Sequence, residues 1–341
     1  MEALSVTAHK KIRVGMINCD LHAFYYAPLM QEFDLNALLK YWRVSNFYFS
    51  APAEAGKMRV PTHRVFDIVK VWDPETSRVA RHPDRRNAEH LSELLFGRPQ
   101  VCKSLDEVSE DVDLVFVANC GDNGSEHRRL ATPGIRKGVP TFIDKPFAYD
   151  LADARALVSL ARKHGTPILS MSMLRVSPHA DRFRRRFAEI APVEFGTVRG
   201  GWVHAFNLAL NLFGTGVASV RCMADKGYDT VGANTFACVH LDYANRRGRP
   251  RAGVVLQCAG GGTDHCAYYA SASSRKGTLY SPPIGDFEFP EAAVRILRMI
   301  SSMARTRKPP VPYDEMIEPV ALAAAARLSQ KTGKREYLKD L

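Results

Sequence analysis

Over residues 11–118 the chain alternates short apolar runs with stretches of helical spacing. Lys11–Ile17, Phe66–Trp72 and Asp113–Ala118 are rich in β-branched and aromatic residues and predict strands. A short strand is expected at Val101–Cys102 and a buried one at Val139–Ile143. Helices are expected from about Ala23, over Ala88–Phe96 and over Glu126–Lys137. Such alternation builds a parallel sheet with right-handed crossovers. Leu151–His164 is an amphipathic helix with Gly165 placed to end it. Pro167–Leu174 predicts a strand and Pro178–Ile190 a basic helix. Beyond Val193 the pattern changes. Val198–Val203, Thr235–Tyr243, Gly253–Cys258 and Ala267–Ser271 predict strands joined by polar turns, Gly260–Gly262 among them. Leu208–Phe213 adds a turn or two of helix, and helices return at Pro290–Arg305 and Ile317–Gln330. The fold class expected is therefore α/β followed by α+β. A Rossmann-like parallel sheet over residues 1–150 would precede a mostly antiparallel sheet domain over 151–341.

Composition narrows the function classes. The 341 residues are 46% hydrophobic and 24% charged, as in a soluble globular chain. No run of 18 apolar residues exists and the first residues lack an apolar core, so neither membrane nor export is expected. Seven cysteines without C-x-x-C spacing read as reduced thiols in a cytoplasmic protein. The net charge of +11 comes from separate clusters: Arg81–Arg86, Arg182–Arg186, Arg246–Arg251 and Arg305–Lys308. Without interleaved aromatic residues these read as solvated surface, not as a nucleic-acid face, although anionic ligands stay open.

Candidate chemistry gathers at strand ends, where open parallel sheets bind ligands. Asp144-Lys145-Pro146 follows the strand at Val139–Ile143, and Pro146 restrains the corner that carries the Lys145 ammonium. Asp73 ends the second strand, where a carboxylate accepts ribose hydroxyls and repels a 2′-phosphate, favouring NAD over NADP. The first loop reads Asn18-Cys19-Asp20-Leu21-His22-Ala23 where a dinucleotide site wants G-x-G-x-x-G. It lacks all three glycines, and Asp20 would bring a negative charge to a phosphate. Asp20, His22, Tyr25 and Tyr26 form a polar cluster at the same strand end, suited to a sugar. Asp-x-His alone falls short of the three or four ligands a metal needs.

The order of a nucleotide half, an Asp-Lys-Pro corner, a helix, a strand and an antiparallel sheet resembles the glucose–fructose oxidoreductase/inositol dehydrogenase (Gfo/Idh/MocA) family. The resemblance is greatest over Val139–Pro178 and the helix at Ile317–Gly333. It implies that Lys145 lies beside a nicotinamide and the substrate hydroxyl, and that His204 works as acid/base. The family's carboxylates around that histidine are Gly200 and Asn207 here. It further implies a cofactor set of Asn18, Cys19, Asp20, His22, Asp73, Asn119 and Lys145, a substrate set including Tyr25 and Asn207, and a place for His127 on the cofactor side. The expectation is an NAD-dependent oxidoreductase acting on the hydroxyl of a sugar, polyol or sugar derivative, assembled as a homo-oligomer. The alternative is a non-redox protein on the same scaffold: sugar-binding, regulatory or lyase-type.

Overall fold

The computed structural model describes residues 10–41, 62–74, 86–119, 123–224, 237–258, 267–285 and 287–341. In the first half β1 (Ile12–Ile17), α1 (Leu21–Met30), α2 (Leu35–Tyr41), β2 (Phe66–Trp72), α3 (Asn87–Leu94) and β3 (Gln100–Val101) are followed by β4 (Leu114–Val117), α4 (His127–Arg136) and β5 (Thr141–Ile143). α5 (Leu151–His164) and β6 (Ile168–Leu169) complete this layer. The six strands pair in parallel in the order β3-β2-β1-β4-β5-β6. All four residues of β4 are buried, because a central parallel strand is covered on both faces. The sheet takes its last strand from Ile168–Leu169, so the division expected at residue 150 cuts through it.

One close approach fixes the first strand. A Cβ on Gly15 would lie 2.1 Å from the carbonyl oxygen of Val108, which cannot move aside as a side chain could. Gly15→Ala is expected to lower stability by about 1–3 kcal/mol, the range for overpacking a dense core, read as the shift in the thermal unfolding midpoint.

The second half holds α6 (Pro178–Arg185), α7 (Phe187–Ile190), β7 (Phe195–Arg199), α8 (Trp202–Phe213), β8 (Ser219–Ala224), β9 (Ala237–Asp242) and β10 (Val254–Cys258). Then come β11 (Ala267–Ser274), β12 (Gly277–Tyr280), β13 (Ile284–Gly285), α9 (Phe289–Thr306), α10 (Tyr313–Thr332) and β14 (Glu336–Tyr337). The strands pair in the order β12-β11-β7-β10-β9-β8-β14, antiparallel except for β7 with β10. β9 alternates buried and half-buried residues, the mark of a sheet with one covered face. α10 joins the halves: Ser329 Oγ accepts the Cys222 N–H at 2.8 Å, and Arg327 donates to the Tyr149 carbonyl at 2.7 Å.

Three local expectations change. The strand expected over Pro167–Leu174 stops at Leu169, because Ser172 caps a 3-10 turn over Met173–Arg175. The strand expected over Val198–Val203 ends at Arg199. Gly200, at φ 149°, turns the chain and α8 begins at Trp202, so His204 rides on a helix. The basic helix at Pro178–Ile190 divides into α6 and α7. The Gly260–Gly262 turn and residues 42–61 of the long interval lie outside the described residues.

Candidate active site

The order of the parallel sheet reverses at β1, whose neighbours are β2 and β4, and ligands of such sheets bind beyond the strand ends there. β1, β4 and β5 deliver Asn18, Asn119 and Asp144–Lys145 to that edge. The first loop keeps its shape without glycine. Asn18 stands at φ 62°, the left-handed region that Asn tolerates better than other side chains. Ala23, at the third motif position, is fully buried and small enough for α1 to pack on the sheet. Asp20 is the N-cap of α1, and its buried carboxylate accepts the His22 N–H at 3.2 Å. The charge that the sequence sets beside a phosphate is thus turned inward onto the helix's own amide. Cys19 is buried as well, and its N–H donates to Asp73 Oδ1 at 2.7 Å. Burial, with Asp73 and Asp20 adding to it, raises the Cys19 thiol well above its ordinary pKa, so it stays protonated.

Four polar residues meet at the strand ends. His22 Nδ1 pairs with Asp144 Oδ2, and the Lys145 N–H donates to Asp144 Oδ1 at 2.8 Å. Burial acts to raise the Asp144 carboxyl, but the charge and hydrogen bond of His22, with Lys145 and His127, outweigh it and hold the pKa below the ordinary value. His204 comes from the other half on α8. Its Nδ1 lies 3.0 Å from Ser172 Oγ, with Tyr268 edge-on and Phe289 stacked beside the ring. Burial lowers the His204 pKa well below 6.5, and the charges of Lys145 and His22 lower it further against the opposing pull of Asp144. His204 is therefore a neutral imidazole at neutral pH, and Lys145 is near enough for its charge to be felt. Among the described residues no carboxylate pairs with the Lys145 ammonium.

Beside this cluster a small cavity is lined by Lys145, Ser172, Asn207, Arg175, Glu315 and Arg327. Its enclosed part measures about 40 Å³, room for a few waters. A sugar-sized ligand would also occupy its open mouth. Asn207 donates its Nδ2 to the Val203 carbonyl at 2.9 Å. Arg175 donates to Glu315 at 2.8 Å.

Some expected residues fall elsewhere. Tyr25 is 2% exposed and packed edge-on to Tyr26 in the core, which removes it from the substrate-facing set. Tyr26 packs on Phe116 and Phe142 beneath the site. Asn119 is buried, and its carbonyl accepts from His127 Nε2 at 3.1 Å. Ser172, Tyr268 and the pairing of Asp144 with His22 carried no motif in the sequence. Gly200 explains the missing carboxylate: a Cβ there would lie 2.0 Å from the Tyr268 ring, which fills the space.

Comparison with known proteins agrees with this fold. Residues 47–172 match the sequence model of the oxidoreductase family with an NAD-binding Rossmann fold, Gfo/Idh/MocA. No curated protein matches the chain significantly in sequence. Among solved structures it is similar to myo-inositol dehydrogenase from Lactobacillus casei in complex with NAD(H) and myo-inositol. That pair has TM-score 0.68 and 14% identity over 96% of each chain. It is also similar to an oxidoreductase from Agrobacterium radiobacter in complex with NAD+, L-tartaric acid and magnesium, with TM-score 0.66 and 15% identity over 97% of this chain and 99% of that one. Myo-inositol 2-dehydrogenase from Lactobacillus plantarum gives 0.68 and 12% over 96% and 99%. At these identities the structures speak for the fold alone.

The residues of this chain fit a dinucleotide on the structure's own terms. Asn18 gives the loop its left-handed turn, Ala23 its close packing, and Asp73 stands at the end of β2. Its diphosphate position is the weaker part, since the Asp20 carboxylate occupies the first amide of α1. Among the described residues no three His, Cys, Asp or Glu could hold a metal ion, and no helix is long and apolar enough to cross a membrane.

Proposed function

We propose that this chain is an NAD-linked oxidoreductase acting on a CH–OH group of a sugar, polyol or sugar derivative. One juxtaposition carries the reading: Lys145, which no carboxylate pairs among the described residues, and His204, from the other half of the chain, lie close enough for the lysine charge to help keep the imidazole neutral. NAD is favoured over NADP by Asp73. Its Oδ1 accepts from Cys19 and its Oδ2 from Asn87 Nδ2 at 3.4 Å, which holds the carboxylate at the end of β2. A 2′-phosphate beside that carboxylate would be repelled. Asn18, His22 and Asn119 complete the set that would hold the cofactor, with Lys145 near its reactive end.

When bound, the nicotinamide supplies the acceptor for the hydride. The protein's part is proton and charge. Lys145 donates to the substrate oxygen and stabilises the negative charge that grows on it as the C–H bond breaks. His204 takes the hydroxyl proton on Nε2, for which Nδ1–H must donate to Ser172 Oγ. Ser172 Oγ already accepts the Leu174 N–H at 3.3 Å and has a second lone pair for this bond. The hydroxyl would then become a carbonyl, with its proton on His204. Asn207 and the cavity wall orient the substrate.

The test is absorbance at 340 nm with NAD against a panel of inositols, hexoses and sugar acids. A rise with any of them supports the reading; none across the panel at millimolar substrate would count against it. The non-redox alternative has one observation in its favour, the Asp20 carboxylate on the amide of α1. Asp20→Asn keeps an N-cap and removes the charge. If a dinucleotide uses this loop, its affinity should tighten roughly 2- to 5-fold, the scale of one charge at a helix terminus. Unchanged or weaker binding in calorimetry favours the non-redox reading.

A further inference from the structure

Two of the four basic clusters, separate in sequence, line one cleft at the far end of α8 from the opening beside Lys145. The cleft measures about 740 Å³, within the size range of small-molecule sites. Arg184 forms one wall and Arg246, Arg247, Arg249 and Arg251 the other, with Glu194 the one carboxylate among the lining residues described. The floor is apolar, where Phe187 stacks on Phe213 at 5.4 Å between ring centres.

Two of these guanidiniums are held by backbone. Arg184 Nη1 donates to the Asn211 carbonyl at 3.1 Å and Arg249 Nε to that of Thr215 at 2.9 Å, both near the carboxyl end of α8. Arg246 and Arg249 lie against the turn at Gly214 and Gly216. A Cβ at those positions would be 2.4 Å from Arg249 Cζ and 1.9 Å from Arg246 Nη1. A carbonyl uses one N–H of a guanidinium and leaves its charge in place. Helix-end duty therefore accounts for the placement of Arg184 and Arg249, and not for the rest of the cluster. Arg247 and Arg251 are exposed and make no ion pair among the described residues. Arg184 also pairs with Asp181 at 3.8 Å; the other four cations, with Glu194 the one lining carboxylate, repel one another unless a multiply charged anion enters. Guanidinium forks match phosphate oxygens. The bounded shape suits a small ligand better than a strand of nucleic acid, which needs a groove that continues.

The structure assigns to this cleft a binding site for a small molecule carrying two or more phosphate groups, separate from the site beside Lys145. Arg247 and Arg251 close on the phosphates, Arg249, held on the Thr215 carbonyl, forms the rear wall with Arg246 beside it, and the apolar floor takes the body of the ligand. This goes beyond the oxidoreductase reading and does not depend on it.

The experiment is calorimetric titration of the full chain with inorganic triphosphate at 0.1 M salt. The comparison is between wild type, the double variant Arg247→Ala/Arg251→Ala and Lys145→Met. The expected result is saturable binding that weakens at least 10-fold in the double variant, with an unchanged melting temperature, and stays unchanged in Lys145→Met. ATP and a sugar bisphosphate, titrated in parallel, distinguish a nucleotide from a phosphorylated sugar as the source of the phosphates. The assignment is overturned by absent binding, by equal affinity in the double variant, or by loss of binding in Lys145→Met. It is also overturned if a 12-nucleotide single strand binds tighter than every small phosphate and loses that affinity in the double variant.

Discussion

His204→Gln is expected to lower kcat/KM by about 10²–10⁴-fold, the contribution of a positioned proton acceptor, with little change in substrate affinity. The wild-type pH profile carries the sharper signature. Burial, Lys145 and His22 together lower the His204 pKa well below 6.5, so its base form persists through neutral pH. The acid limb of kcat/KM should therefore fall below the usual imidazole range, and the variant should lose it. Stability follows the same sign. A histidine kept neutral in the fold contributes fully above its unfolded pKa of about 6.5, and the contribution fades as pH falls toward the lowered folded value. A wild-type acid limb centred at or above 6.5, or its survival in His204→Gln, would rule this imidazole out as the base.

Lys145→Met is expected to cost roughly 10²–10³-fold in kcat, as for loss of one preorganised donor to a developing oxyanion. It should also alter His204. The Lys145 charge is one of the causes that lower the imidazole pKa, so removing it lets the acid limb of the residual activity move upward. The two effects test one geometry by independent readouts. A Lys145→Met enzyme with full kcat, or with lowered kcat and an unmoved acid limb, would mean that the two groups do not share a substrate.

The parallel sheet was legible because its strands are short apolar runs separated by clear helices. Their parallel pairing follows from that alternation. Helix ends were legible wherever a local rule applies: Gly165 ends α5 at φ 60° as its position implied. The start of α8 was misread because Val198–Val203 is β-branched and aromatic, while the break depends on the φ of 149° at Gly200. The first loop was read by counting glycines, whereas the backbone requires a left-handed residue at Asn18 and a small one at Ala23. Asp20 was weighed as a ligand neighbour, though its place before Leu21 is also that of an N-cap. Lys145 was found because the corner after β5 is local chemistry. Its surroundings were not, since Asp144 reaches His22 across 122 residues and Ser172 reaches His204 across 32. No spacing rule encodes such contacts. The basic clusters show the same limit, since their union in one cleft is a product of the fold.

We propose that the edge of the parallel sheet beside Lys145 holds a nicotinamide dinucleotide. Titrating the purified chain with NADH and following its fluorescence tests this directly. The account predicts saturable enhancement, reversed by NAD and weakened in Asp73→Ala. An absence of binding at millimolar NADH would contradict it.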